Sequence, residues 1–482
     1  MNQNGISSLW ELSSSGRRGV VIPRSDVPAA ELDDKYIRKD AADLPEVSEL
    51  DLIRHYTRLS TLNYSIDTRF YPLGSCTMKY NPRVNEQTAR MAGFAASHPY
   101  LPESMAQGNL ELMHELQKDL AELAGFKAVS LQPAAGAHGE LAGVLMIKKY
   151  HESRGDTGRT RFLIPDSAHG TNPASVAMAG FEAVEVSSDD RGNIDLARLK
   201  ELCDESIAGI MITNPNTLGL FEEQIIDVIS TVHACGGLVY GDGANFNAIM
   251  GVVKPGDLGF DVMHYNLHKT FSTPHGGGGP GAGPVAAADS LKDYLPGPLV
   301  GRSDNGSFTF VQPAKSIGRL KAFNGNFGVL VRAYTYILSL GGNGLKAASE
   351  SAVLAANYLL SRVKDVLPSW YDRICMHEFV SSGQSLGEGV HTMDLAKRLI
   401  DYGFHPPTVY FPLIVPEALM VEPTETESIE ILDAFAETLR VIVKESQDQP
   451  ELLHDAPHRE TVSRLDEVMA VKKPVLRDIG RI

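Results

Sequence analysis

Between Lys127 and Lys269 the chain alternates short apolar runs with amphipathic stretches, a rhythm that few folds accommodate. The runs are Lys127 to Leu131, Arg161 to Pro165, Ala183 to Val186, Gly209 to Thr213, Leu238 to Asp242 and Asp261 to Tyr265. Helices are expected over Leu141 to Tyr150, after Asn172, over Asp195 to Asp204 and over Glu223 to Ala234. Strands separated by crossovers of helical length predict a mostly parallel sheet with helices on both faces. Ligands of such sheets bind beyond the carboxyl ends of the strands. Those ends are polar here: Ser167-Ala-His-Gly-Thr-Asn-Pro173, Thr213-Asn-Pro-Asn-Thr217, Gly241-Asp-Gly-Ala-Asn245 and the pair His268-Lys269. One cluster would be weak evidence, whereas several on one rim predict a shared crevice.

Within that rim, Asp242 and Lys269 end two strands joined by a single crossover, which places both side chains at one edge. Most Lys-Thr pairs are solvated surface, and the phosphate-loop order Gly-x-x-x-x-Gly-Lys-Ser/Thr is absent, because this lysine precedes its glycines. The run Gly276 to Gly283, six glycines interrupted by Pro280 and Ala282, is expected as a loop with unusual backbone angles or a close backbone approach. A lysine beside such a loop can carry a Schiff base. A pyridoxal phosphate site needs a lysine for the aldehyde and a carboxylate to keep the pyridine nitrogen protonated. Upstream, Gln132-Pro-Ala-Ala-Gly-Ala-His-Gly-Glu140 turns from a strand into a helix, leaving backbone amides free where a phosphate binds favourably.

The rest of the chain bounds the setting. Its 482 residues, 43% hydrophobic and 22% charged, suit a large α/β protein with ample core. A formal net charge of −16 argues against nucleic acid or an anionic membrane as partner. Cys76, Cys203, Cys235 and Cys375 lie far apart without metal-ligand spacing, so neither a disulfide framework nor a metal site is expected, and the expected location is cytoplasmic. Residues 1–75 read as an N-terminal arm, 76–330 as the large domain and 331–482 as a smaller α+β domain. Leu110, Leu112, Met113, Leu116, Leu120 and Leu123 predict a helix over Glu103 to Ala124. In the C-terminal part, Val329 to Leu340 reads as a helix ended by Gly341-Gly-Asn-Gly344. Beyond it come strands at Met376 to Val380, Val409 to Ile414 and Ala418 to Val421, a helix from His391 to Tyr402, and a capping box of Thr424 with Glu427. The unpatterned stretch Asp67 to Pro82, which holds Tyr71, Cys76 and Lys79, is longer than a plain connection needs.

Several stretches resemble the glycine decarboxylases, or P-proteins, of the glycine cleavage system. They are Pro72-Leu-Gly-Ser-Cys-Thr-Met-Lys79, Ser167-Ala-His-Gly-Thr-Asn-Pro-Ala174, Asp242-Gly-Ala-Asn245, Asn266-Leu-His-Lys-Thr-Phe271 and Glu422-Pro-Thr-Glu425. The length resembles the second subunit of the two-subunit form. The resemblance implies the aspartate-aminotransferase fold (fold type I), with pyridoxal 5'-phosphate carried on Lys269 and its ring nitrogen on Asp242. It also implies phosphate on the amides of Ala135, Gly136 and Ala137, and His138 stacked on the ring. His169, His268, Thr171, Asn216 and Thr217 would surround the cofactor, with Asn172, Cys76 and Thr77 toward the substrate. The implied reaction is decarboxylation of glycine, with the aminomethyl group passed to the lipoyl arm of the H-protein. A sister subunit 1 would complete a heterotetramer of two copies of each chain. Arg332 is a candidate for the glycine carboxylate. Another fold-type-I enzyme, an aminotransferase or a different decarboxylase, and a non-catalytic docking subunit stay open at this point.

Overall fold

Burial on both faces of a sheet requires strands that are apolar throughout, and Ile207–Thr213 is buried at every position. In the computed structural model, which describes residues 6–40, 42–275, 281–460 and 462–476, this strand is β4 of a seven-stranded sheet. The others are β1 (Ala128–Ser130), β2 (Arg161–Pro165), β3 (Glu182–Val186), β5 (Leu238–Gly243), β6 (Val262–Tyr265) and β7 (Val285–Ala287), in the order β1-β7-β6-β5-β4-β2-β3. β2, β3, β4, β5 and β6 run parallel, and β7 is antiparallel to both its neighbours. The expected architecture is therefore present. Successive residues of β5 serve opposite cores: Val239 joins Leu116, Leu120 and Tyr265 on one face, and Tyr240 joins Met146, Ile147 and Phe162 on the other.

Most element boundaries agree with the sequence reading to within a few residues, and the exceptions have local causes. The helix expected from Glu103 begins as a 3₁₀ turn, Glu103–Met105, and becomes α-helical at Gln107–Ala124. Gly125 closes it in the left-handed conformation (φ 75°). The helix expected to stop at Gly341 breaks only there, at φ 59° and ψ 178°, and resumes at once, so helical structure spans Phe327–Val363. The Thr424 capping box does not form. Thr424 has φ 64°, incompatible with an N-cap, and the helix starts after Ser428 as Ile429–Asp448.

Leu299–Arg302 (β8) and Phe308–Val311 (β9) form a separate hairpin. A second, smaller antiparallel sheet joins Phe379–Ser382 (β10), Thr408–Val409 (β11) and Ala418–Val421 (β12) in the order β10-β12-β11. β11 is shorter than expected because Tyr410 has φ 57° and Pro412 follows with no N–H to donate. The long helix and Ile429–Asp448 cover this sheet through Leu359, Val363, Phe435 and Leu439.

The chain divides into two compact units, Phe70–His454, which holds both sheets, and Met1–Arg69 with Asp455–Ile482. Within the second, Ser48 caps the helix Glu49–Thr61, and Arg17 pairs with Asp51 at 3.2 Å. No helix of the described residues is long and apolar enough to cross a membrane.

Candidate active site

Asp242 and His264 face each other across β5 and β6 in direct register. Lys269 follows four residues after the end of β6, not at the strand end but inside a one-turn helix, Leu267–Thr270. That turn and the start of the helix Gly136–Ser153 meet at the carboxyl edge of the sheet around a cavity of about 180 Å³. Ser75, Gly136, Ala137, His169, Thr171, Thr217, Asp242, His268 and Lys269 are among its lining residues, so most of the residues expected at the site converge on one space.

Asp242 is 5% exposed and fully engaged. Oδ1 accepts from Ala244 N at 2.9 Å and lies 3.4 Å from His264 Nε2, and Oδ2 accepts from Asn172 Nδ2 at 3.0 Å. Burial pushes its pKa up, but His264, Asn172, the Ala244 amide and Lys269 together outweigh that and hold the carboxyl below its ordinary value. Asp242 is therefore an anion at neutral pH, aimed by its neighbours. His264 is placed in turn by Tyr240, whose hydroxyl lies 2.8 Å from Nδ1. Burial, then His275 and Lys269, push His268 down to about 3, and burial and Lys269 push His275 down to about 4. Both imidazoles are therefore neutral at neutral pH.

Other expected residues serve the frame. Asn216 is spent on its own loop: Nδ2 donates to Gly192 O, and Oδ1 accepts from Leu218 N and Leu220 N at 3.0 and 3.1 Å. The Thr217 hydroxyl bonds Ser167 O. His138 Nδ1 accepts from Ala134 N at 3.2 Å, and neither His138 nor Asn216 lines the cavity. His169 is exposed and bonds Thr171, whose hydroxyl donates to Glu140 at 2.9 Å. Thr77 is bound to Glu422, and Cys76 is a partly buried thiol beside it. Arg332 is held at 2.7 Å by Glu86, away from the lining. Gly276 to Pro280, the heart of the expected glycine-rich loop, lie outside the described residues.

Sequence reading assigned no role to Glu140, Glu378 or Glu422, although Glu422 opens one of the stretches that carry the family resemblance. Glu140 is 5% exposed and gathers Thr171, Asn172 and Ser175. Its sole advance signal was its place at the end of the Gln132–Glu140 turn.

The lining suits a phosphorylated aromatic aldehyde. The Gly136–Ser153 helix begins without a side-chain cap, leaving its first amides available to an anion. A Cβ on Gly136 would run into Asn266 Oδ1, so only glycine leaves this approach open. Thr213 Oγ1, Asn266 Oδ1 and His268 Nδ1 line the same space, buried and without a hydrogen-bond partner among the described residues.

The family model "Glycine cleavage system P-protein" matches residues 23–381, and "Glycine dehydrogenase, C-terminal domain" matches 348–459. The chain belongs to the P-protein family. A protein of Caldanaerobacter subterraneus subsp. tengcongensis named "probable glycine dehydrogenase (decarboxylating) subunit 2" is 56% identical over 98% of both chains. Its namesake in Thermotoga maritima is 55% identical over 98% of this chain and 99% of that one. Among solved structures, an inhibitor-bound glycine decarboxylase (P-protein) superposes with a TM-score of 0.72 at 23% identity, covering 85% of this chain and 93% of that one. The glutamate decarboxylase of Lactobacillus brevis gives 0.64 at 15% identity, over 88% and 96%. These superpositions establish the fold-type-I architecture of this P-protein family member.

Proposed function

We infer that this chain decarboxylates glycine with pyridoxal 5'-phosphate as cofactor and passes the aminomethyl group to the lipoyl arm of the H-protein. The observation that carries the reading is a single cavity that combines Lys269, an ionised buried Asp242 and an uncapped helix start, in a P-protein family chain. Bound there, pyridoxal phosphate supplies an electron sink for the bonding pair left when the carboxylate departs as carbon dioxide. Lys269 would hold the cofactor through its side-chain amine, at the cofactor's carbonyl carbon. Asp242, kept anionic by Asn172 and His264, holds a proton on the pyridine nitrogen. The amides of Gly136 and Ala137 receive the phosphate. His268, neutral and half-buried, lines the site without adding charge.

Two partners complete the reading. A sister subunit and a lipoylated H-protein are required for turnover, in an assembly of two copies of each P-protein chain. The relatives' name, subunit 2, supports this, as does an arm that leaves Val20, Val21, Ile22, Val27 and Leu32 exposed. The four free thiols are in keeping with a cytoplasmic location.

The test is exchange of labelled bicarbonate into the glycine carboxyl, with glutamate and alanine as competing substrates. Incorporation dependent on lipoylated carrier and on the sister subunit is expected. Transamination in place of exchange would favour the aminotransferase reading. Full activity of the isolated chain would remove the heteromeric part.

A further inference from the structure

One wall of the Lys269 cavity is a turn in an unfavourable conformation. Ser75 and Thr77, neither a glycine, have φ of 63° and 50°, a region side-chain-bearing residues hold only where the surroundings over-determine it. Two glutamates, distant in sequence, do so. Glu378 Oε2 accepts from Ser75 N at 2.6 Å. Glu422 Oε2 accepts from Thr77 N at 2.8 Å, and its Oε1 accepts from the Thr77 hydroxyl at 2.6 Å. Both glutamates are 0% exposed. His377, equally buried, lies beside them, its Nε2 3.7 Å from Glu378 Oε1 and 4.0 Å from Glu422 Oε1. Gly74 lets the turn pack directly on β12, where a Cβ would collide with Met420. Ser75 then lines the cavity beside Lys269, with Cys76 between the two pinned residues.

We propose that Glu378 and Glu422 are positioning residues for the Lys269 site, an unlike pair of one neutral and one ionised carboxyl that clamps the Ser75–Thr77 turn. Hydrogen bonding assigns the charges. Glu422 accepts three hydrogen bonds, the third from Asn247 Nδ2 at 3.2 Å, which is the pattern of an anion. Glu378 accepts one short bond, at Oε2, and at Oε1 only a long one, 3.4 Å, from Asn245 Nδ2, so Oε1 is the weakly engaged oxygen on which a proton sits. Two ionised carboxyls buried together would repel strongly. Burial, then the charge of Glu422, raise the Glu378 pKa well above its ordinary value. Burial raises Glu422 to about 7, against the pull of Thr77, Lys269 and Asn247. His377, pushed down to about 3 by burial and by Lys269, stays neutral and does not compensate the pair.

The two amide substitutions therefore separate. In Glu378→Gln the amide mimics the protonated acid, and its oxygen still accepts from Ser75 N. In Glu422→Gln the NH2 group confronts donors from Thr77 or Asn247. The experiment uses the holoenzyme with its partners and reads alkylation of Cys76 by iodoacetamide through peptide mass spectrometry, with Cys203, Cys235 and Cys375 as internal references. Glu422→Gln is expected to label Cys76 about tenfold faster, and to lose about tenfold or more in kcat, the loss of hydrogen bonds to a charged group. Glu378→Gln is expected to label within about twofold of the parent and to keep a higher kcat than Glu422→Gln. The parent's kcat should fall as pH drops below about 7, where Glu422 takes up a proton, and that acid limb should vanish in Glu422→Gln.

Equal labelling in the two variants, or faster labelling in Glu378→Gln, overturns the proposal. So does a stoichiometric transition metal lost from Glu378→Gln, because a metal would need both carboxylates ionised. If Glu422→Gln does not fold, Thr77→Val, which deletes only the hydroxyl donor, is expected to speed Cys76 labelling where Thr77→Ser does not, and parental labelling in Thr77→Val overturns it. The kcat arm rests on the decarboxylase reading, whereas labelling does not. A parent protein without glycine exchange would therefore refute the function and leave the clamp to be judged by Cys76.

Discussion

Replacing Lys79 by Met deletes one charge from the interior and keeps nearly the same volume. The Lys79 side chain is 1% exposed, with Nζ 2.7 Å from Glu425 Oε1, 3.0 Å from Thr270 O and 3.4 Å from the Tyr336 hydroxyl. Burial alone would lower the pKa of this ammonium, but Glu425 and Tyr336 outweigh it and raise the value above the ordinary lysine range. The partner carboxylate is itself 10% exposed, and its Oε2 has no hydrogen-bond partner among the described residues. Methionine would strand that charge in a low-dielectric site, a loss of about 3–5 kcal/mol. Because Thr270 follows Lys269 directly, the change also frees one side of the turn that carries Lys269. Urea denaturation of the apoprotein measures the stability term. Adding Glu425→Gln should recover about half of the loss or more, since the second change removes the stranded charge. A Lys79→Met protein within about 1 kcal/mol of the parent, or losses that simply add in the double variant, would refute the argument.

Lys269→Ala should abolish glycine exchange while the fold survives, and borohydride reduction of the parent should place the pyridoxyl label on the Lys269 peptide. A label on any other lysine would sink the assignment. Asp242→Asn should cost about a hundredfold or more in rate while cofactor content, measured by absorbance, falls far less; rates near the parent's at saturating cofactor would contradict this. His377 supplies a pH test. Its folded pKa of about 3 lies below the ordinary histidine value, so its contribution to stability is complete above about pH 6.5 and is lost as pH falls toward 3. Between about pH 7.5 and 5, the parent apoprotein should lose about 2 kcal/mol more than His377→Gln, and parallel stability curves would show that the imidazole is not buried neutral.

The sequence by itself determined the large sheet and the opposition of Asp242 and Lys269 on its rim. Strand periodicity, crossover length and the polar ends of strands are local properties, and a parallel sheet leaves them one arrangement. It also marked Gln132 to Glu140 as the turn before an apolar helix, because small residues between a strand and such a helix leave backbone amides free, although the helix begins at Gly136 and not at Leu141. Tertiary structure alone decided what surrounds this rim. Asn216 looks like a ligand in sequence, yet its amide holds a loop closed, since which donors reach it depends on the path of residues 192 and 218–220. Thr424 and Glu427 have the spacing of a cap, but packing holds Thr424 in a left-handed conformation. Glu378, Glu422 and the partner of Lys79 lie more than 290 residues from the turn they hold, and carboxylates in apolar or loop sequence carry no mark of burial. Docking the small sheet against residues 72–79 removes those carboxyls from water. That loss of solvent sets their protonation, and it is a property of the assembled fold.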